Sequence, residues 1–223
     1  MVKYFLGIDD AGRGPVIGSM FLAGVLATEE QEKLLKSQGA KDSKMLLHTT
    51  RIKLAEIIRE NSLAHFVIES IPEEIDSFVE SGTNLNTLEA KKAADIINKI
   101  NNKKDKITVV VDCPSTNTKA WREKMITFIE HPENLDIKCE HKADVNHVSV
   151  SAASILAKVA REENVAQLKK DLKVDFGSGY PADPITKEFL VERGAKYLKY
   201  KIIRETWQTW KDIGKKAGQN KLF

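Results

Sequence analysis

Cysteine is scarce. Two of 223 residues, Cys113 and Cys139, are too few to staple a fold, so a reducing compartment is expected. No apolar run approaches the ~20 residues that a membrane span requires. A strand-like segment begins within a few residues of Met1, so no secretion leader is expected. Repeats, low-complexity stretches and Pro/Gly/Ser linkers are missing too. Secreted, membrane and disordered classes are thereby set aside, and a cytoplasmic location is expected. What is present is an ordinary globular mix, 42% hydrophobic and 30% charged, enough for one cored domain with at most a small appendage.

Charge is unevenly spread. The formal total is +3, but residues 191–223 carry nine basic side chains, Arg204 among them, against Glu192, Glu205 and Asp212. That tail is therefore +6, and residues 1–190 are −3. A basic end on a mildly acidic body suits a polyanionic partner, although a solvated helix that happens to be basic has the same composition.

Val2–Ile8 has the pattern of a strand that stops at Asp9-Asp10, and Gly12-Arg13-Gly14-Pro15 is a turn. Val16–Ala27 is expected as its antiparallel partner, with Thr28 capping a helix over Glu29–Ser37. His48–Asn61 has helical periodicity, and His65–Ile71 is rich in β-formers. Helices follow over Glu73–Glu80 and Asn84–Asn101, then the β-branched run Ile107–Val111, which ends at Asp112. A helix over Ala120–Ile129, a strand over Leu135–Cys139 and helices over His147–Leu172, Pro184–Tyr200 and Ile202–Ala217 complete the chain. Three early strands followed by alternating helices and strands indicate an α/β mixed sheet with a helical C-terminal lobe.

Two apolar strands thus stop on acid, at Asp9-Asp10 and at Asp112. A carboxylate at the end of a buried strand is costly unless it is solvated, hydrogen-bonded or bound to a cation. If the strands are neighbours, these groups converge, and Asp144, just before the long helix, can join them. Such an all-oxygen set suits Mg²⁺ or Mn²⁺, and two ions close together are one way to cleave a phosphodiester. Aspartate at a strand end is also a common turn former.

Gly12-Arg13-Gly14 exposes backbone groups and offers Arg13 to a phosphate, though a Gly-Arg-Gly turn is frequent by chance. Ser151, Ser154, Ile155 and Lys158 share one helix face, which fits either a tightly packed core helix or a phosphate contact at Lys158. Tyr180, held between Gly179 and Pro181, either stacks on a sugar or base or plugs its loop onto the core. Cys139, His141, Asp144 and His147 lie within nine residues but lack the paired spacing of a zinc site.

Taken together, these segments resemble one family, the type 2 ribonucleases H, or ribonuclease HII, and in particular its archaeal single-chain members. Asp9-Asp10-Ala11-Gly12-Arg13-Gly14-Pro15 is similar to the family's opening Asp-Glu-Ala-Gly-Arg-Gly-Pro. Lys41-Asp42-Ser43-Lys44 looks like its Asp-Ser-Lys loop, and Asn84-Leu85-Asn86 with Leu88-Glu89 like its Asn-Leu-Asn helix start. Lys142-Ala143-Asp144, Val150 to Lys158, Gly177 to Pro181 with Asp183-Pro184, and Arg204 to Trp207 resemble its later blocks, in order.

The resemblance implies a ribonuclease H-like five-stranded mixed sheet flanked by helices, with a catalytic domain over 1–175 and a substrate-binding extension over 176–223. It implies endonucleolytic cleavage of RNA in RNA–DNA hybrids and on the 5′ side of single ribonucleotides in DNA, leaving 5′-phosphate and 3′-hydroxyl ends. Asp9, Asp10, Asp112 and Asp144 would hold two Mg²⁺ or Mn²⁺ ions, with Asp9 bridging. Gly12, Arg13 and Gly14 would read the 2′-hydroxyl, Tyr180 would stack on the next sugar, Lys44, Lys158 and the basic C-terminal helices would hold phosphates, and Ser151 would be a further substrate-binding residue. A monomer is expected, with a sliding clamp as a further partner. One departure is Asp10, where the family has Glu, a side chain reaching about 1.3 Å farther. Two other readings stay open: a hybrid-binding protein with catalysis weakened by Asp10, and another nuclease of this fold such as a DNA junction resolvase.

Overall fold

Leu6, Ile8, Val109 and Val111 are almost wholly buried, as residues of a strand covered on both faces must be. In the computed structural model, which describes residues 2–40 and 46–219, they lie on paired strands in the middle of a five-stranded mixed sheet. The elements run β1 (Tyr4–Ala11), β2 (Met20–Thr28), α1 (Glu29–Ser37), α2 (His48–Asn61), β3 (Ala64–Ser70), α3 (Pro72–Glu80), α4 (Leu85–Ile100), β4 (Ile107–Asp112), α5 (Thr118–Ile126) and β5 (Leu135–Glu140). Then come α6 (Ala143–Asn146), α7 (Val148–Leu172), α8 (Pro184–Glu192), α9 (Gly194–Tyr197) and α10 (Gln208–Gln219). Strand order is β3-β2-β1-β4-β5, with β1 antiparallel to β2 and parallel to β4.

Register explains where the acids sit. β2 stays paired with β1 as far as Ala11↔Phe21, whereas β4 keeps step only to Ile8↔Val111. The first strand therefore runs through Asp9 and Asp10 instead of stopping before them, because β2 supplies partners after β4 has ended.

The described chain forms two compact units. The first comprises Met1–Ala11, Phe21–Ile68 and Asn86–Ala160. Its sheet is covered on one face by α7, whose Ala152, Ala153, Ile155 and Leu156 pack with Ala23 and Val25 of β2 and with Leu54 and Ile58 of α2. The other face meets α4, where Ile96 stands over Gly24. Thr28 and Gln31 form a reciprocal capping box that starts α1. Gly7 is the closest approach: a Cβ there would lie 2.1 Å from the Ser149–Val150 backbone, so only a residue without a side chain lets α7 settle on β1.

The second unit comprises Gly12–Met20, Glu69–Leu85 and Arg161–Phe223. Its core gathers Val16, Ile17, Phe176, Phe189, Leu190, Ile202 and Ile203. Three expectations change here. Val16–Ser19 is not strand: Ile17 makes a single bridge to Ile203, and β2 begins at Met20. The helix expected over Pro184–Tyr200 breaks at Arg193, which ends α8 and starts α9, and the next residue, Gly194, packs so closely that a Cβ there would lie 2.5 Å from the Trp210 ring. The last helix starts at Gln208, because Ile202, Ile203 and Arg204 are buried in extended chain ahead of it. Among the described residues no helix is long and apolar enough to cross a membrane.

Gly7→Ala should therefore lower stability by about 1–3 kcal/mol, the usual cost of overpacking a tight core. Urea unfolding checks this, and an unchanged midpoint would contradict the close packing of α7 on β1.

Candidate active site

In the first unit, the end of β4 leaves a gap beside β1, and acids gather in it. A cavity of about 10 Å³, near the size of one water molecule, is lined by Ile8, Asp9, Asp10, Leu22, Glu89, Val111, Asp112, Pro114 and Trp121. The sequence-predicted Asp9, Asp10 and Asp112 are thus brought to one place. Trp121 is held there by its indole N–H, which donates to the Asn86 carbonyl at 2.9 Å. Glu89 lines the cavity as well, a residue that motif reading leaves without a role although the sequence makes it legible. It falls on the stripe of α4 that buries Leu88, Ala93, Ile96 and Ile97, where an acid is out of place unless it has work to do.

Asp9 is 6% exposed. Burial pushes its carboxyl up to about 8, and the neighbouring charges of Asp10 and Asp112 add to the rise. The Ser154 hydroxyl on α7 and the Asp10 N–H, at 2.8 Å, oppose it by hydrogen bonding to the carboxylate. Asp112, the last residue of β4, accepts from the Ala143 N–H at 3.0 Å, which ties it to the first turn of α6. The next residue is Asp144, 3% exposed, carried on α6 and not among those that line the cavity. The long helix expected from His147 is thus preceded by a separate short one, entered through Lys142 in the left-handed region.

Among the described residues no three His, Cys, Asp or Glu side chains are drawn together tightly enough to form a ready-made ion cage. The donor chemistry nevertheless fits a hard divalent cation. The groups are carboxylates, Asp9 is buried with Asp10 and Asp112 half-buried beside it, and Asp9 holds its proton because burial, and then its negative neighbours, disfavour the charge, which is the penalty a bound cation removes. Zinc does not fit: burial pushes the Cys139 thiol up to about 12, His147 pairs with Glu140 at 2.9 Å, and His141 Nδ1 lies 3.2 Å from the Cys113 carbonyl.

The remaining expected residues divide between the units. Ser151 and Lys158 lie on α7 in the first, Ser151 fully buried with no hydrogen-bond partner for its hydroxyl and Lys158 half-buried. Lys44 lies outside the described residues. In the second unit Gly12 (φ +88°), Arg13 and Gly14 form one turn, and a Cβ on Gly14 would touch the Tyr180 ring at 3.6 Å. Tyr180 is 39% exposed and stands against the Arg161 guanidinium at 4.7 Å. Its loop is fixed by the Gly179 carbonyl, which accepts from Val16 N–H at 2.8 Å, and by Asp183, whose carboxylate accepts from the Ser178 N–H. Arg204 is a correction. Counted from sequence among the basic tail charges, it is wholly buried and donates to the carbonyls of Gly12, Arg13 and Gly18.

Residues 6–210 match the model of one protein family, described as Ribonuclease HII. The chain belongs to the ribonuclease HII family. Ribonuclease HII of Methanocaldococcus jannaschii is 40% identical to it over 229 residues, covering 98% of each chain. That of Thermococcus onnurineus is 40% identical over 96% of this chain and 91% of its own. Among solved structures, ribonuclease H2 from Pyrococcus horikoshii OT3 superposes with a TM-score of 0.82 at 34% identity, covering 96% of this chain and 98% of that one. The ribonuclease HII of Archaeoglobus fulgidus, solved in complex with PCNA, gives 0.81 at 34% identity, over 94% and 96%. A Bst ribonuclease HIII in complex with Mn²⁺ shares the fold, at 21% identity and a TM-score of 0.78. As a ribonuclease HII the protein is a ribonuclease H, an endonuclease of the hydrolase class.

The raised Asp9 carboxyl has a consequence for stability. An unfolded aspartate titrates near 3.8 and Asp9 near 8, so between these values the folded state binds more protons. Stability of metal-free protein should therefore fall as pH rises from about 4 to about 8 and then level off. Asp9→Asn should flatten that decline and raise the Tm in EDTA near pH 8, by about 2–4 °C for each kcal/mol recovered. Parallel pH profiles for the two proteins in thermal melts would contradict the assignment.

Proposed function

We propose that this ribonuclease H cuts the RNA strand of RNA–DNA hybrids and the 5′ side of single ribonucleotides embedded in duplex DNA, leaving 5′-phosphate and 3′-hydroxyl ends. It does so as a cytoplasmic monomer, with residues 1–175 carrying catalysis and 176–223 extending the grip on substrate. The observation that carries the reading is the convergence of Asp9, Asp10 and Asp112 on one cavity, with the Asp112 carboxylate anchored beside Asp144.

Asp9, Asp10, Asp112 and Asp144 would hold two Mg²⁺ or Mn²⁺ ions. When bound, such ions supply an activated water for in-line attack and stabilise the departing oxygen. The chain's own groups do the rest. Ser154 and the Asp10 N–H keep the Asp9 carboxylate in one orientation, and the Ala143 N–H does the same for Asp112. Gly12, Arg13 and Gly14 bind the 2′-hydroxyl, the group that separates RNA from DNA. Tyr180, braced by Arg161, stacks on the following deoxyribose and favours an RNA-to-DNA junction. Lys44, Lys158 and exposed lysines such as Lys196 and Lys199 hold phosphates, which dominate affinity. A sliding clamp is a further proposed partner, supported by the Archaeoglobus relative solved with PCNA.

The test is a duplex carrying one ribonucleotide beside an all-DNA duplex, assayed in Mg²⁺ and in Mn²⁺. Cleavage is expected only in the first, on the 5′ side of the ribonucleotide. Asp112→Asn should retain binding and fall to about 1% of the parent rate or less, the scale of losing one group that stabilises developing charge. Cleavage of the all-DNA duplex, or a fast Asp112→Asn variant, would overturn the reading.

A further inference from the structure

Among the described residues Arg204 is the largest wholly buried side chain, and it carries a charge. A guanidinium in a protein interior is tolerated only where its donors are taken up. Three of those of Arg204 go to backbone: Nε to the Gly18 carbonyl at 2.9 Å, Nη1 to Arg13 at 2.9 Å and Nη2 to Gly12 at 2.7 Å. Its planar head lies 4.9 Å from the ring of Trp207, whose indole N–H donates to the Gly14 carbonyl at 3.3 Å. Two side chains from the far end of the sequence therefore engage the carbonyls of Gly12, Arg13 and Gly14 in succession.

In a trans peptide the C=O and the N–H lie in one plane and point in opposite directions. With the Gly12 carbonyl turned to Arg204, the N–H of Arg13 points away from it. With the Arg13 carbonyl turned the same way, so does the N–H of Gly14. The next peptide has no N–H to direct, since it belongs to Pro15. The fork of Arg204 thus decides which edge of the turn carries donors outward. Lysine, a point charge without a fork, would not hold two carbonyls in that fixed relation.

We propose that Arg204, seconded by Trp207, is a positioning residue for substrate selection: it aims the N–H groups of Arg13 and Gly14 at the ribose and so sets the discrimination between ribose and deoxyribose. This rests on the reading of the Gly12–Gly14 turn as the 2′-hydroxyl binder. A residue that merely held the fold together would weaken binding to every duplex alike. A residue that aims these donors alters the preference and leaves the sequence-independent phosphate grip in place.

The experiment measures binding of the full-length protein, with Ca²⁺ in place of Mg²⁺, to two duplexes that differ by a single ribonucleotide. The readout is the ratio of the two Kd values. Arg204→Lys is expected to lower the ratio about tenfold, the scale of a lost hydrogen-bonding group, while Kd for all-DNA duplex changes less than about twofold. Trp207→Phe keeps a ring beside Arg204 but removes the indole donor, and should lower the ratio by a smaller factor, about threefold. If Arg204→Lys does not fold, Trp207→Phe carries the test alone. An unchanged ratio in the folded variants, or equal weakening toward both duplexes, overturns the positioning role. A parent protein with no ribonucleotide preference overturns the reading of the turn itself, and the positioning role with it.

Discussion

Negative charge held inside the sheet is the constraint from which the rest of the site follows. β1 is kept in register by β2 past the point where β4 ends, and this places Asp9 and Asp10 beside Asp112 with no strand between them and the cavity. An isolated fold would not choose this. Burial raises the free energy of the charged form, and each acid raises it further for its neighbours, so Asp9 holds a proton up to about pH 8. The cluster is stable only because the surrounding core is large and tightly packed, from Gly7 under α7 to Ile96 over Gly24. A divalent cation reverses the sign of the cost, turning mutual repulsion into shared coordination.

The turn proposed to recognise the 2′-hydroxyl is built on the opposite principle. In the second unit a positive charge is buried, and backbone carbonyls satisfy it. The turn at Gly12–Gly14 is thereby framed by acceptors committed to Arg204 and Trp207, and the loop of Tyr180 is fastened by the Gly179 carbonyl and Asp183. The carboxylates and the Gly12–Gly14 turn thus draw on different supports.

Much of this was legible in the residues. Apolar runs ending on acid marked β1 and β4, Thr28 marked the start of α1, and the order of motifs identified the family. What was not legible depended on tertiary pairing. The extension of β1 through Asp9 and Asp10 comes from β2, which local pattern does not reveal. The break at Arg193 comes just ahead of Gly194, which packs on Trp210 sixteen positions later, and Val16–Ser19 is not strand because Ile17 bridges only to Ile203. Arg204 looked like one more charge on a basic tail, since nothing in its neighbourhood announces three carbonyls from residues 12 to 18. Glu89 was the opposite case: an acid on the apolar stripe of α4, readable from periodicity once the stripe is drawn.

The central claim is that a cation takes the place of the proton on Asp9. Calorimetric titration with Mn²⁺ near pH 7, in buffers of different ionisation enthalpy, counts the protons released on binding. The account predicts close to about one proton per protein for the parent, because Asp9 titrates near 8, and almost none for Asp9→Asn. Mn²⁺ binding by the parent without proton release would contradict it.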